Sequence, residues 1–136
     1  MTNHFQDLKD FHKKFNMPLN KQPTMLKPSL LNFRLKFLLE ELEETELAAY
    51  EGDIAGVADG LVDLVYVAIG MAELMGLPWD DLWAEVQKAN MSKERAENEN
   101  QGHREQWQFD IIKPEGWTAP KIQEILNQAK DKTHER

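Results

Sequence analysis

Between Asp53 and Glu73 the chain carries only two charged residues, Asp59 and Asp63, and everything around them is apolar or small. The pattern predicts one long helix, capped by Asp53 and running to about Met75, where Gly76 and Pro78 close it. A helix this apolar is normally buried on most sides. Its two aspartates, four residues apart, share one face. A buried ionised carboxylate is costly unless it is paired or bound to a metal, and no Lys or Arg within the helix can pair them. A chain with this segment at its centre has to fold around it and bring something cationic to the two acids.

The preceding segment supplies more acid instead. From about Ser29 to Glu51 strong helix formers run without proline or glycine, and Ser29 is placed to cap the start. At about 100° per residue, Leu31, Leu35, Leu38 and Leu42 form one stripe, which is expected to face the core. On the opposite side Leu30, Phe33, Phe37, Leu47 and Ala48 share an arc with Glu40, Glu41 and Glu44. Antiparallel packing of the two long helices brings these three glutamates against Asp59 and Asp63, giving five like charges in one site. Hard divalent cations relieve such repulsion best, and all-oxygen ligation favours Mg²⁺, with Mn²⁺ as a substitute, over Zn²⁺. Di-iron bundles use helical carboxylates too, but none of His4, His12, His103 or His134 has a Glu three residues before it.

Around this pair the chain reads as all-α, a helical bundle centred on two long antiparallel helices. Phe5, Leu8, Phe11, His12 and Phe15 recur at three- and four-residue steps, which predicts a short amphipathic helix over about Asn3 to Phe15. Pro18, Pro23 and Pro28 make the next stretch a connector. A third helix is expected from about Pro78 to Ala89, with Asp80 and Asp81 in its first turn. Residues 90–118 are expected to be partly loop-like, polar through Trp107, with no strand pattern. Thr118 and Pro120 announce a C-terminal helix over 119–130. All 136 residues are read as a single domain.

A net charge of -8 argues against nucleic acid or an anionic membrane as partner. The absence of cysteine removes disulfides and thiolate chemistry, which fits a cytoplasmic setting. No leader-like apolar run opens the chain, and no stretch is expected to reach the roughly 18 apolar residues of a membrane span.

The segment LLEELEETELA, with Glu40, Glu41 and Glu44 as EExxE, resembles the MazG-like all-α NTP pyrophosphatases, and in particular their phosphoribosyl-ATP pyrophosphohydrolase-like branch. That family's second signature has an acidic residue and then Asp three residues on. Here Gly60 stands in the acidic place, and DGLVD supplies Asp59 and Asp63 instead. DFHKKF, DLVYVAIGMAELMG, the tetrapeptide Asn90-Met91-Ser92-Lys93 and GWTAPKI extend the likeness over most of the chain.

The resemblance implies a Mg²⁺-dependent hydrolase that splits a (d)NTP into the (d)NMP and pyrophosphate in nucleotide-pool control, in a bacterial or phage-infected cytoplasm. Glu40, Glu41, Glu44, Asp59 and Asp63 would be metal ligands, Glu44 shared and Glu41 also the general base. Asn90 and Lys93 would contact phosphates, with Arg34 and Lys113 as further candidates, and Phe11, His12 and Trp117 would wall a base pocket. The site would be assembled at a subunit contact, so a homodimer or tetramer is expected, as the near-continuous apolar surface of Val57 to Met75 also requires. The rival from another class is a noncatalytic acidic helical module that binds a basic partner.

Overall fold

A computed structural model describes residues 2–98, 101 and 110–134. Among them are five helices: α1 (His4–Lys14), α2 (Pro28–Tyr50), α3 (Ile54–Leu74), α4 (Trp79–Met91) and α5 (Ile122–His134). The all-α reading holds, with one addition. Two two-residue strands, β1 (Glu94–Arg95) and β2 (Ile111–Ile112), pair antiparallel, Glu94 opposite Ile112 and Arg95 opposite Ile111. This ribbon corrects the expectation of no strand, since elements of two residues have no period to detect. Residues 99–100 and 102–109 of the expected loop lie outside the described residues.

The helix ends follow local chemistry. Asn3 caps α1 by accepting the Gln6 N–H at 3.1 Å. Asp53 caps α3 by accepting the Gly56 N–H at 3.0 Å, as its position predicts. Ser29 does not cap α2. The helix starts at Pro28, whose ring presets φ and whose missing N–H is no loss in a first turn, and Lys27 precedes it with no side-chain cap. α3 ends in a Schellman turn: Leu77 N–H donates to Ala72 O and Gly76 N–H to Glu73 O, with Gly76 at φ 69°. A Cβ at Gly76 would lie 2.6 Å from Gln22 O and 2.7 Å from Asn20 O. Only glycine lets the connector lie this close, and Asn20 and Thr24 tie it down through Leu74 O and Met75 O. α4 and α5 both run further than predicted, to Met91 and His134.

The chain divides into two compact units, residues 1–79 with 128–136, and residues 80–127. In the first, α3 packs along α2 and against α1. Its core is Leu8, Leu26, Val67, Ile69, Ala72 and Leu74, with His12, Arg34, Thr45 and Glu73 buried among them. In the second, Ala89, Ala96 and Asp110 are buried.

The leucine stripe of α2 turns only partly to the core: Leu31 and Leu38 are half-buried, the other two exposed. Leu35 is 49% and Leu42 53% exposed, whereas Arg34 and Thr45 are buried against α3. Both sides of α2 are apolar, so its sequence alone does not choose between them; the side with Thr45 can approach the small residues of α3 and the leucine side cannot. α3 also corrects the expectation about membrane spans. At 21 residues, with a best-window mean hydropathy of 1.7, it is long and apolar enough to cross a bilayer. Yet Asp59 and Asp63 would each cost about 2.5–3.5 kcal/mol near the centre of a span, and α3 packs against α1 and α2. It is the central helix of a bundle.

Candidate active site

The register of α2 on α3 follows from three close approaches. A Cβ at Gly56 would meet Ala48 Cβ at 2.9 Å, one at Gly60 would overlap the Thr45 side chain, and one at Gly70 would meet Arg34 Nη2 at 2.9 Å. With this antiparallel register Glu41 falls opposite Asp63. Thr45 bonds back within its own helix, its hydroxyl donating to Glu41 O at 2.7 Å, which turns its bulk into the space left by Gly60. The glycine in the place of the family's acid therefore has a physical reason. No side chain fits there while Thr45 lies opposite.

The five acids do share one electrostatic site. The Glu41 carboxyl is pushed up from its ordinary value, first by desolvation, then by the charges of Asp63, Glu44, Glu40 and Asp59 in that order. They are not the buried cluster that the apolar helix suggested. Glu41 and Asp63 are half-buried, while Glu40, Glu44 and Asp59 are exposed, because α1 and α2 cover only part of α3 within one chain. Among the described residues no three acids or histidines stand close enough together to hold a metal ion as they are oriented. The donor set itself suits a hard cation: only oxygen ligands, one helical turn apart on two facing helices, with mutual repulsion that a divalent ion would offset. Mg²⁺ thus fits the chemistry of the residues.

Beside Glu41 and Asp63 opens a cavity of about 180 Å³. Buried Leu8, His12, Arg34 and Val67 form its floor. Phe11, Phe37 and Tyr66 stand at its rim with the two carboxylates. Phe11 and Tyr66 meet edge to face, with centroids 5.5 Å apart. His12 Nδ1 hydrogen-bonds to the buried Glu73 carboxyl group, so His12 lines the cavity with one ring nitrogen already engaged. Arg34, first read as a candidate for phosphate contact, is 8% exposed. Its Nη2 donates to Val67 O at 2.8 Å, its guanidinium lies 5.6 Å from the Phe37 centroid, and its Nε has no partner.

Asn90, Lys93, Lys113 and Trp117 belong to the second unit, where the structure brings them together. Trp117 Nε1 donates to Ala89 O at 2.9 Å, which anchors the ring at the end of α4. Lys93 and Lys113 place their ammonium groups 5.4 and 4.8 Å from the centroid of that ring. An adjoining cavity of about 630 Å³ is lined by Asn90, Lys93, Lys113 and also Arg95. Sequence reasoning missed Arg95, because only the pairing of β1 with β2 sets it near Lys113.

Carboxylates facing each other across two antiparallel helices give an all-α bundle with an oxygen-rich acidic site, and the family match says which class of such bundles this is. Residues 8–90 match the family model for phosphoribosyl-ATP pyrophosphohydrolase, and the chain belongs to that family, within the MazG-like all-α NTP pyrophosphatase superfamily. Membership implies a pyrophosphohydrolase acting on phosphoric anhydrides. A comparison with curated proteins finds no match. The matched range takes in all five acids, Arg34 and His12 and ends at Asn90, so Lys93, Lys113 and Trp117 lie beyond it.

Proposed function

We propose that this chain hydrolyses a nucleoside or deoxynucleoside triphosphate to the monophosphate and pyrophosphate, with Mg²⁺ as cofactor and Mn²⁺ as a substitute, in the cytoplasm and for control of the nucleotide pool. One observation carries the reading: Glu41 lies opposite Asp63 under the combined charge of Glu44, Glu40 and Asp59. Structures that gather five uncompensated acids pay for it in stability, and a cation-dependent reaction is the reason to keep them.

Glu40, Glu41, Glu44, Asp59 and Asp63 would hold the metal. Bound Mg²⁺ would neutralise the triphosphate and make a water more acidic. Glu41, opposite Asp63 at the cavity rim, would take the proton of the attacking water. In the other unit, taken by itself, Lys93, Lys113 and Asn90 offer two cations and a neutral donor of the kind that bind phosphate oxygens. The choice of the α-phosphorus rests on the family likeness. Exposed leucines on α2 and apolar residues on α3 support a homodimer or tetramer.

The test is a panel of canonical and modified (d)NTPs with monophosphate and pyrophosphate both quantified, and phosphorus NMR to identify the products. Equal amounts of the two, in a Mg²⁺-dependent reaction, support the reading; a diphosphate product or no turnover defeats it. The exposure of Glu40, Glu44 and Asp59 favours one other reading, a noncatalytic acidic module for a basic partner. Melting with and without MgCl₂ separates the two, since a metal site raises the melting temperature and a solvated acidic face barely responds.

A further inference from the structure

Arg34 is the least explained residue of the first unit. Arg34 as a whole residue is only 8% exposed, and among the described residues no carboxylate forms an ion pair with it. One bond to Val67 O and contact with the Phe37 ring are its visible returns, and its Nε–H is buried without an acceptor. An uncompensated buried cation with an unmade hydrogen bond is costly. Packing does not require it, because a leucine or methionine would fill the same space without the charge. A ligand that brings an acceptor to the cavity lined by Arg34 would offset the cost of the buried charge.

The cavity says which part of a ligand this is. At about 180 Å³ it is smaller than the roughly 300–1,000 Å³ that encloses a whole drug-sized molecule, so it takes one ring system rather than a whole nucleotide. Phe11, Phe37 and Tyr66 at the rim offer flat apolar surface. Glu41 and Asp63, also at the rim, would repel a phosphate entering here, but they lie where sugar and phosphates would remain if a base entered first. The edge of a base remote from its glycosidic bond then reaches the floor, where Arg34 waits. Guanidinium offers donors and no acceptor.

We propose that this cavity is the nucleobase subsite and that Arg34 is its specificity residue, selecting 4-keto pyrimidines or 6-keto purines over the corresponding amino bases. The proposal deepens the pyrophosphohydrolase reading and rests on it. A carbonyl at the inserted edge accepts from Arg34. An amino group there sets donor against donor, leaving both without a partner at the buried floor, and discrimination of this kind is large.

Binding of monophosphates in EDTA tests the subsite apart from catalysis. The matched pairs are dUMP against dCMP and dIMP against dAMP, which differ at the edge in question. The keto member should bind about tenfold or more tightly to the wild-type protein, in keeping with one good hydrogen-bonded pair. Arg34→Met should bring each pair within about twofold while the melting transition persists. Gly70→Ala, whose Cβ would press on Arg34 Nη2 at 2.9 Å and touch Leu8 and His12 only at 3.4 and 3.6 Å, should narrow the preference too and serves if Arg34→Met does not fold. Equal binding within both pairs, no binding of any of the four, or a preference that survives in a folded Arg34→Met overturns the proposal. Failure of every triphosphate to release pyrophosphate would instead defeat the catalytic reading, with the binding result standing separately.

Discussion

Gly60 of α3 lies so close to Thr45 of α2 that a Cβ at position 60 would overlap the Thr45 hydroxyl and sit 3.0 Å from its Cβ. This contact fixes the register that sets Glu41 opposite Asp63, and it predicts a cost for restoring any side chain. Gly60→Ala should lower stability by about 1–3 kcal/mol through overpacking, despite alanine's better helix propensity. Thr45→Ala in the same chain should recover part of the loss. Chemical denaturation of the two single variants and the double variant checks this; additive losses would show that the residues do not meet.

How much of this was legible beforehand depended on whether the cause was local. Asp53 as a cap and Gly76 as a stop could be read directly, because caps act within one turn. The five acids could be placed on two helices by spacing alone. Which apolar side of α2 packs could not be read, since Leu35 and Leu42 were as good a face as Phe37 and Ala48 until the register of α3 decided. Arg34 was read as a candidate for phosphate contact, and its burial was not legible because it depends on Gly70, distant in sequence. The pairing that brings Arg95 near Lys113 leaves no trace in a two-residue strand.

On the proposed reaction, Glu44→Gln and Asp63→Asn should each reduce pyrophosphate release by at least about 100-fold while leaving the fold intact, within the range expected for loss of a proton-transfer or metal-holding group. Without metal both variants should melt at or above the wild-type temperature, because each removes one of the like charges acting on Glu41. Near-wild-type turnover in either would show that these acids are not the site.

Stability of the metal-free protein should depend on pH through Glu41. Its carboxyl titrates above its ordinary value in the folded chain, so the folded state holds this proton more tightly than the unfolded state does. Stability from this group should therefore fall as pH rises from the ordinary glutamate range up through the elevated folded value. Glu41→Gln should flatten that decline. Melting curves across this range in EDTA measure it, and a slope unchanged in the variant would place its origin elsewhere. Saturating Mg²⁺ should remove the decline in wild type, since a cation favours the ionised carboxylates.

Val65 tests the assembly. It is 52% exposed in the single chain and stands with Leu61, Val62 and Ile69 around an apolar cleft of about 330 Å³, on the side of α3 away from Asp59 and Asp63. Leu35, Leu39 and Leu42 of α2 are exposed as well. Apolar faces of this kind on a small chain mark an interaction surface, and a second copy is the economical cover, since two-fold pairing brings the same patch from each side. Val65→Glu would place an unpaired charge in that contact. The variant should sediment as a single chain of 15.8 kDa where wild type sediments as a multiple of it, and it should lose activity together with association. A wild-type protein that is folded and active at one-chain mass at micromolar concentration would refute the dimer. A Val65→Glu protein with wild-type mass and turnover would show that this face meets only water.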